Sequence, residues 1–137
     1  MFHLLTILMF FNLVSGSCCH KIKASFAVQN NAYGQNSDRF GYYTMQAGFV
    51  NGKAHFLKDA GKARAIWYSS ASETWIVGTK SNLGKSNGKL FVVSKAACPY
   101  TPGYTWRYEQ YGSWRDADEG FSIFIDVNVN LTCKILS

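Results

Sequence analysis

The sequence predicts a single all-β domain: a compact antiparallel sandwich or barrel of about seven to eight short strands, stapled by disulfides. Polar and apolar residues alternate in segments that recur about every 8 to 14 residues, with Asn, Gly and Ser between them. Beyond position 17, no stretch of about a dozen residues has helical periodicity. The length of 137 residues suits one domain.

The first hairpin is the clearest local prediction. Residues 21–29 alternate as a strand, and residues 30–37 are rich in loop-forming residues. The next strand is predicted to place Tyr43, Met45, Ala47 and Phe49 on one face. Asn51-Gly52 follows, and alternation resumes after it. Asn-Gly favours the positive φ angles of a two-residue turn, so these strands are predicted to pair as a hairpin.

Further strands are predicted from alternation and from apolar runs bounded by turn residues. They lie at residues 65–68, 74–79, 90–93, 104–110 and 121–135. The first two form a second hairpin around a polar turn, and their Trp67 and Trp75 are expected in the core. An Asn-Gly-Lys triplet occurs at Asn51 and again at Asn87, which predicts the same turn chemistry at both places.

The amino-terminal segment predicts secretion. Residues 1–17 contain no Asp, Glu, Lys or Arg, and their apolar run ends in small residues, as in a secretory signal peptide. The alternative is an uncleaved anchor. Residues 18–137 then form the extracellular domain, in which no segment approaches the roughly 20 apolar residues of a membrane-spanning helix.

Four cysteines follow the predicted signal: Cys18, Cys19, Cys98 and Cys133. An even number behind a signal peptide predicts a disulfide framework. A bridge between the adjacent Cys18 and Cys19 is sterically awkward, so one of them is expected to join Cys98 and the other Cys133. A zinc site that includes His20 lacks the usual ligand spacing, and neither metal nor cofactor is expected.

The formal charge of +6 is spread along the chain without a cationic run. Isolated positive charges are typical of a solvated surface rather than of a nucleic-acid groove, so no nucleic-acid partner is expected. A basic surface does attract acidic glycans, sulfated matrix and anionic cell surfaces. The expected partner is therefore an extracellular glycan or matrix component, and the sequence does not specify an oligomeric state.

A cluster of aromatic and basic residues is the predicted ligand-binding surface. It comprises Trp106, Arg107, Tyr111, Trp114 and Arg115. Exposed aromatic rings stack on sugars or anchor partners, and guanidinium groups hold carboxylates and sulfates through paired hydrogen bonds. For Trp106 and Trp114, burial in the core is an equally weighted alternative.

No catalytic set emerges from the spacing of reactive residues. His55 alternates with apolar strand residues and is expected at the surface. A glycosidase needs two carboxylates at a defined separation, and nothing around Glu73 or Glu109 singles them out. The chain is therefore expected not to be an enzyme.

Two local motifs have both a functional and a structural interpretation. The acidic residues Asp116, Asp118 and Glu119 could bind calcium, but they lack EF-hand spacing and are better explained as a charged turn. Asn130 begins the chain's one N-glycosylation triplet and is predicted to face outward, although nearby Cys133 could hinder modification.

The chain also resembles an extracellular β module that occurs singly or in tandem in invertebrate secreted and surface proteins. The resemblance lies in Asn51-Gly52-Lys53, Gly61, Ile66-Trp67-Tyr68, Trp75-Ile76-Val77-Gly78, Leu83-Gly84, Cys98-Pro99, Pro102, Trp106, Trp114 and Cys133. It implies a binding or matrix role and carries over no catalytic residue.

Three functional hypotheses follow from these observations. The first is a secreted, non-enzymatic recognition module that binds carbohydrate or associates with extracellular matrix. The second is a basic toxin or defence protein that acts on membranes, against which the lack of an amphipathic helix counts. The third, with the weakest support, is a small secreted hydrolase.

Overall fold

The computed structural model describes residues 18–26, 37–61, 63–88, 90–100, 106–110, 113–116 and 121–125. This part of the chain contains nine strands, two short 3-10 turns and no α-helix, which confirms the all-β prediction. The strands are β1 Lys21–Phe26, β2 Gly41–Val50, β3 Lys53–Lys58, β4 Arg64–Ser69, β5 Thr74–Thr79, β6 Leu90–Val93, β7 Arg107–Gln110, β8 Ser113–Asp116 and β9 Phe121–Ile125. The 3-10 turns are η1 Ser37–Arg39 and η2 Lys80–Asn82.

All nine strands belong to one antiparallel sheet with the order β8-β7-β6-β5-β4-β3-β2-β1-β9. The two edge strands are consecutive in sequence, and only residues 117–120 join them. In a flat sheet the edges would lie eight strand spacings, about 38 Å, apart. A link of this length spans at most about 18 Å. The sheet is therefore curled into a half-barrel.

The direction of the strands explains why this barrel stays open. Eight antiparallel steps separate β8 from β9, so the two edges run in the same direction. Pairing them directly would need a parallel ladder, and parallel neighbours require a crossover of about a dozen residues or more. The link between them is much shorter, and the described strands contain no β8–β9 pairing.

The β2–β3 hairpin turns as predicted but contains an irregularity that alternation alone misses. Asn51 and Gly52 have φ values of 52° and 83°, as a two-residue turn of this type requires. The register shifts between Met45 and Phe49, which marks a β-bulge. Phe49 keeps the predicted face, because it pairs with Ala54 of the inner core, but it is 78% exposed whereas Tyr43 is fully buried.

The β4–β5 hairpin is buried on both faces. Ile66 pairs with Val77 and Tyr68 with Trp75 on the inner face, while Trp67 pairs with Ile76 on the outer face. The prediction that Trp67 and Trp75 are core residues is confirmed. Burial on two faces explains why this hairpin is an apolar run rather than a strict alternation.

The main core lies inside the curl and receives side chains from β1 through β7. Its members include Ile22, Tyr43, Phe56, Ile66, Trp75, Leu90 and Tyr108. A smaller outer cluster contains Ala65, Trp67 and Ile76, with Val50, Leu57, Leu83 and Phe91 packed against it. The sheet thus has a large inner core and a local apolar area on its outer face.

A segment that we call the strap, residues 94–100, crosses from the end of β6 to the start of β1. Trp75 Nε1 donates a hydrogen bond to the Ala96 carbonyl at 2.9 Å, and Lys53 Nζ donates to the Lys95 carbonyl at 2.6 Å. Cys98 is joined to Cys18, which confirms that an amino-terminal cysteine bonds Cys98. Cys19 is also in a disulfide. Cys133 lies outside the described residues.

The remaining sequence predictions are partly covered by the structure. β8 is not predicted by the alternation, and Asp116, assigned to a charged turn, lies in that strand. Part or all of several predicted features falls outside the described residues: the signal peptide, residues 27–36, Tyr111, Asp118, Glu119, Asn130 and the last strand beyond Ile125. Within the described part, no helix has the length and hydropathy to cross a membrane.

Removing the Cys18–Cys98 bond tests the role of the strap. Replacing both cysteines with Ser is expected to lower the free energy of unfolding by about 2 to 4 kcal/mol, because the bond closes a long loop in the unfolded chain. The measurement is denaturant unfolding followed by tryptophan fluorescence. Ser70→Ala, in an exposed turn, is the control and should change stability by less than about 0.5 kcal/mol. A loss below about 1 kcal/mol in the cysteine variant would contradict the prediction.

Candidate functional site

The candidate site is a cavity on the outer face of the sheet. Thr74, Ile76 and Gly78 alternate along β5 and line it from below, because every second residue of a strand faces the same side. Phe91 of β6 is the register partner of Ile76 and continues the floor. The floor is therefore apolar at its centre and polar where β5 begins.

One wall of the cavity is the loop of residues 83–88 that follows η2. Trp67 Nε1 donates to the Lys85 carbonyl at 2.9 Å, and Asn51 Nδ2 donates to the Gly84 carbonyl at 3.1 Å. These bonds tie the loop to a buried indole and to the β2–β3 turn. The wall is thus held by side chains of the sheet beneath it.

Gly88 allows the loop to approach β5 closely, and Gly78 makes room on β5 for the Trp67 ring of β4. A Cβ atom on Gly88 would lie 2.2 Å from Ile76 Cγ2, and one on Gly78 would lie 2.9 Å from Trp67 Cη2. Neither Asn87 nor Gly88 has positive φ. The prediction that the second Asn-Gly repeats the turn chemistry of the first is therefore wrong, because here Gly88 is needed for space.

The resulting space, which we call the outer cavity, has a volume of about 500 Å³. This lies within the range of roughly 300 to 1,000 Å³ that is usual for ligand pockets. Its lining consists of Arg39, Ser72, Thr74, Ile76, Gly78, Thr79, Asn82, Ser86, Asn87, Gly88, Phe91 and Glu109. Hydroxyl and amide groups thus surround an apolar floor.

A chain of hydroxyl groups forms one rim of the outer cavity. Ser72 donates to Ser69 at 3.0 Å, Ser72 and Thr74 oxygens lie 2.7 Å apart, and those of Ser69 and Ser86 lie 2.7 Å apart. Because the single hydroxyl proton of Ser72 is donated to Ser69, Thr74 must be the donor in its hydrogen bond with Ser72. If Ser69, which is 1% exposed, passes its own proton to Ser86, the chain has a single direction. Ser86 then has a proton to offer to the cavity.

The opposite end of the cavity is charged and is anchored by η1. Arg39 is 8% exposed and lies 3.7 Å from the Asp38 carboxylate, which also forms an ion pair with Arg64. Tyr43 donates to the Arg39 carbonyl at 2.7 Å, and Arg64 Nη1 donates to Thr79 Oγ1 at 3.1 Å. These bonds fix η1 against β2 and β4, and Arg64 also links β4 to β5. The Arg39 side chain is thereby placed in the cavity lining.

The charge network at η1 shifts the pKa of its carboxylate. Burial raises the pKa of Asp38, but the hydrogen bond from Arg64 and the charges of Arg64 and Arg39 outweigh burial. The pKa of Asp38 is therefore below its ordinary value. Burial has the larger effect on the Tyr43 hydroxyl in the core, whose pKa is raised well above its ordinary value. Asp38 thus favours its charged form and Tyr43 its neutral form.

The structure places the predicted ligand-binding residues in different surroundings. Trp106 is 3% exposed, so the prediction that it is an exposed stacking ring is wrong. Like Tyr108, two residues further along, it packs in the inner core. Arg107 is exposed and is the register partner of Phe91, beside the outer cavity. Trp114 and Arg115 pair in register with Glu109 and Tyr108, and Tyr111 lies outside the described residues.

The residues considered for catalysis or metal binding are also separated in the fold. Glu73 lies in the β4–β5 turn with its carboxylate 2.7 Å from Lys95 Nζ, whereas Glu109 lines the outer cavity. His55 is half-buried on β3. Among the described residues, no three His, Cys, Asp or Glu side chains are grouped to hold a metal ion.

Sequence analysis missed most of the outer cavity. Thr74, Ile76, Gly78 and Phe91 belong to strands that the sequence predicts as buried, which hides their outward side. The small or polar residues Thr74 and Gly78 in an otherwise apolar strand were the sequence feature that could have indicated the cavity. Comparison of the chain with protein-family models, curated proteins and solved structures finds no match.

Adding a methyl group at Gly88 tests the close approach of the wall. Gly88→Ala is expected to destabilise the protein by about 1 to 3 kcal/mol, because the new Cβ would overlap Ile76. The measurement is the midpoint of thermal unfolding. Ser81→Ala, at an exposed position of η2, is the matched control and should leave the midpoint nearly unchanged. An unchanged midpoint in Gly88→Ala would contradict the prediction, because it would show that the loop shifts to accommodate the added methyl group.

The η1 network predicts a pH-dependent contribution to stability. Because the folded pKa of Asp38 is lowered, its stabilisation is present above the unfolded pKa of about 4 and is lost as pH falls below it. Asp38→Asn is expected to cost about 1 to 3 kcal/mol at neutral pH, and less below about pH 3. Denaturant unfolding at several pH values measures this difference.

The control for this series is Glu73→Gln, which removes a solvent-exposed ion pair with Lys95. It should cost less than about 1 kcal/mol at neutral pH, since exposed ion pairs contribute little. A cost of Asp38→Asn that stays constant across the acid range would contradict the assigned role of the Asp38 carboxylate.

Proposed function

We propose that this protein is a secreted, non-enzymatic recognition module that binds carbohydrate in the outer cavity. The single observation that carries the proposal is an apolar floor of Ile76 and Phe91 bordered by hydroxyl and amide side chains. A sugar ring presents a similar division, with an apolar face of C–H groups and an edge of hydroxyl groups. The cavity and such a ring are chemically complementary.

The floor would accept the apolar face of the sugar. An aromatic ring provides a rigid apolar surface whose ordering costs little conformational entropy. Phe91 is held by its position in the middle of the sheet and by packing against the outer cluster. It is thus already in position before a ligand arrives, which reduces the entropy cost of binding.

The walls would accept the hydroxyl edge of the sugar. Asn82 and Asn87 each carry an amide that can donate and accept hydrogen bonds, and Ser86 carries a hydroxyl that can do both. Asn87 and Ser86 are solvent-exposed, so they remain accessible from the mouth. A few polar groups around an apolar floor are the usual means by which small-molecule sites orient a ligand.

An extracellular location fits the chemistry of the chain. Disulfides persist mainly in oxidising compartments, and the Cys18–Cys98 bond ties the strap to β1. The apolar residues 1–17 supply the secretory signal in this proposal. Glu73 and Glu109 occupy different surroundings, one in an ion pair and one in the cavity, which favours binding over two-carboxylate hydrolysis.

Binding of the purified domain to a glycan array, followed by titration of the best ligand, tests this proposal. Phe91→Ala is expected to weaken binding by at least about tenfold, equivalent to about 1.4 kcal/mol, because the floor loses its ring. Val93→Ala is the matched control: Val93 lies two residues along the same strand, is 60% exposed and does not line the cavity.

A second variant distinguishes loss of binding from loss of folding. Asn87→Ala removes an amide from the exposed loop and is expected to weaken binding while the thermal midpoint stays within a few degrees. If both variants fold and bind with unchanged affinity, the outer cavity is not the site. A selective loss in Trp114→Ala instead would move the site to β8.

A further inference from the structure

We infer that the outer cavity selects an uncharged sugar residue and discriminates against its acidic counterpart. This inference rests on the proposed function, because it specifies the class of carbohydrate that the same cavity binds. It is opposite to what the net charge of the chain suggests, since a basic protein attracts acidic glycans at its surface.

The charge of the lining disfavours an acidic ligand. Of its twelve residues, only Arg39 and Glu109 have charged side chains, and their formal charges are opposite. The Arg39 guanidinium already lies 3.7 Å from the Asp38 carboxylate. An acidic sugar would therefore meet the Arg39 guanidinium, whose charge is already partly balanced by Asp38, and the carboxylate of Glu109. A carboxylate near an anionic ligand raises the cost of binding it, particularly where water is partly excluded.

The hydroxyl chain on the rim also favours an uncharged ligand. Its Thr74 end presents oxygen lone pairs, and its Ser86 end presents a proton when Ser69 donates onward. In that direction the rim offers an acceptor at Thr74 and a donor at Ser86 within one connected chain. A sugar hydroxyl donates one hydrogen bond and accepts others, whereas a carboxylate or sulfate only accepts. The rim therefore matches a hydroxyl group better than an anion.

The basic side chains near the outer cavity lie outside its lining. Lys80, Lys85 and Arg107 surround this region, but each is exposed and none belongs to the lining. Attraction between such charges and an acidic glycan is screened by salt over a Debye length of about 10 Å at 0.1 M. Binding inside the cavity depends on packing and neutral hydrogen bonds. It should therefore depend little on salt.

The experiment compares sugars that differ only at C6. Methyl glycosides of glucose and galactose are titrated against glucuronic and galacturonic acid glycosides, with Kd measured at about 50 and 500 mM NaCl. We expect the better neutral glycoside to bind at least about tenfold more tightly than its acidic counterpart. Its Kd should change by less than about twofold between the two salt concentrations.

Two variants tie this selectivity to the cavity. Glu109→Gln removes the carboxylate and is expected to narrow the difference between neutral and acidic glycosides by severalfold. Ser86→Ala removes the proton that the rim offers and should weaken the neutral glycoside by about tenfold. Ser81→Ala, exposed and outside the lining, is the matched control for Ser86.

The outcomes separate this inference from the proposed function. If the acidic glycosides bind more tightly and Phe91→Ala abolishes that binding, the cavity is a carbohydrate site but the inference is wrong. An unchanged selectivity in Glu109→Gln would also overturn it. If no glycoside binds at either salt concentration and the array is negative, the proposed function itself fails.

Discussion

The inner apolar surface shared by strands β1 to β7 is the constraint on which the rest of the structure depends. A sheet that buries one continuous face against itself must curl, and the short link between β8 and β9 requires the two edges to approach each other. The same chain order leaves those edges running in the same direction. The barrel is consequently open, and the strap with its Cys18–Cys98 bond secures one end.

The candidate site depends on what the curl leaves outside. Once Trp75 and Tyr68 fill the interior, Trp67 and Ile76 of the same hairpin must be covered from the other face. The loop after η2 provides that cover, and Gly88 lets its backbone descend onto Ile76. Covering only part of the outer face leaves a hollow beside Phe91. The cavity is thus a by-product of burying a hairpin on both sides.

Much of the fold could be predicted from local sequence. The bounds of β5 and β6 agree with those that alternation and turn residues indicate, and Asn51-Gly52 forms the expected turn. Alternation did not indicate the register shift before Phe49, because that shift depends on the pairing of β2 with β3. It also failed at β8, whose pairing with β7 rather than its own pattern makes it a strand.

The sequence by itself determined the fold class, the main hairpins and the pairing of an amino-terminal cysteine with Cys98, because each depends on local periodicity, turn geometry or simple sterics. Only the tertiary structure decided which sheet face is the interior, that Trp106 is buried, and that Arg39, Ser86, Phe91 and Glu109 line one cavity. These residues lie on elements far apart in the chain. Their meeting is set by the curl of the whole sheet, and no local pattern encodes it.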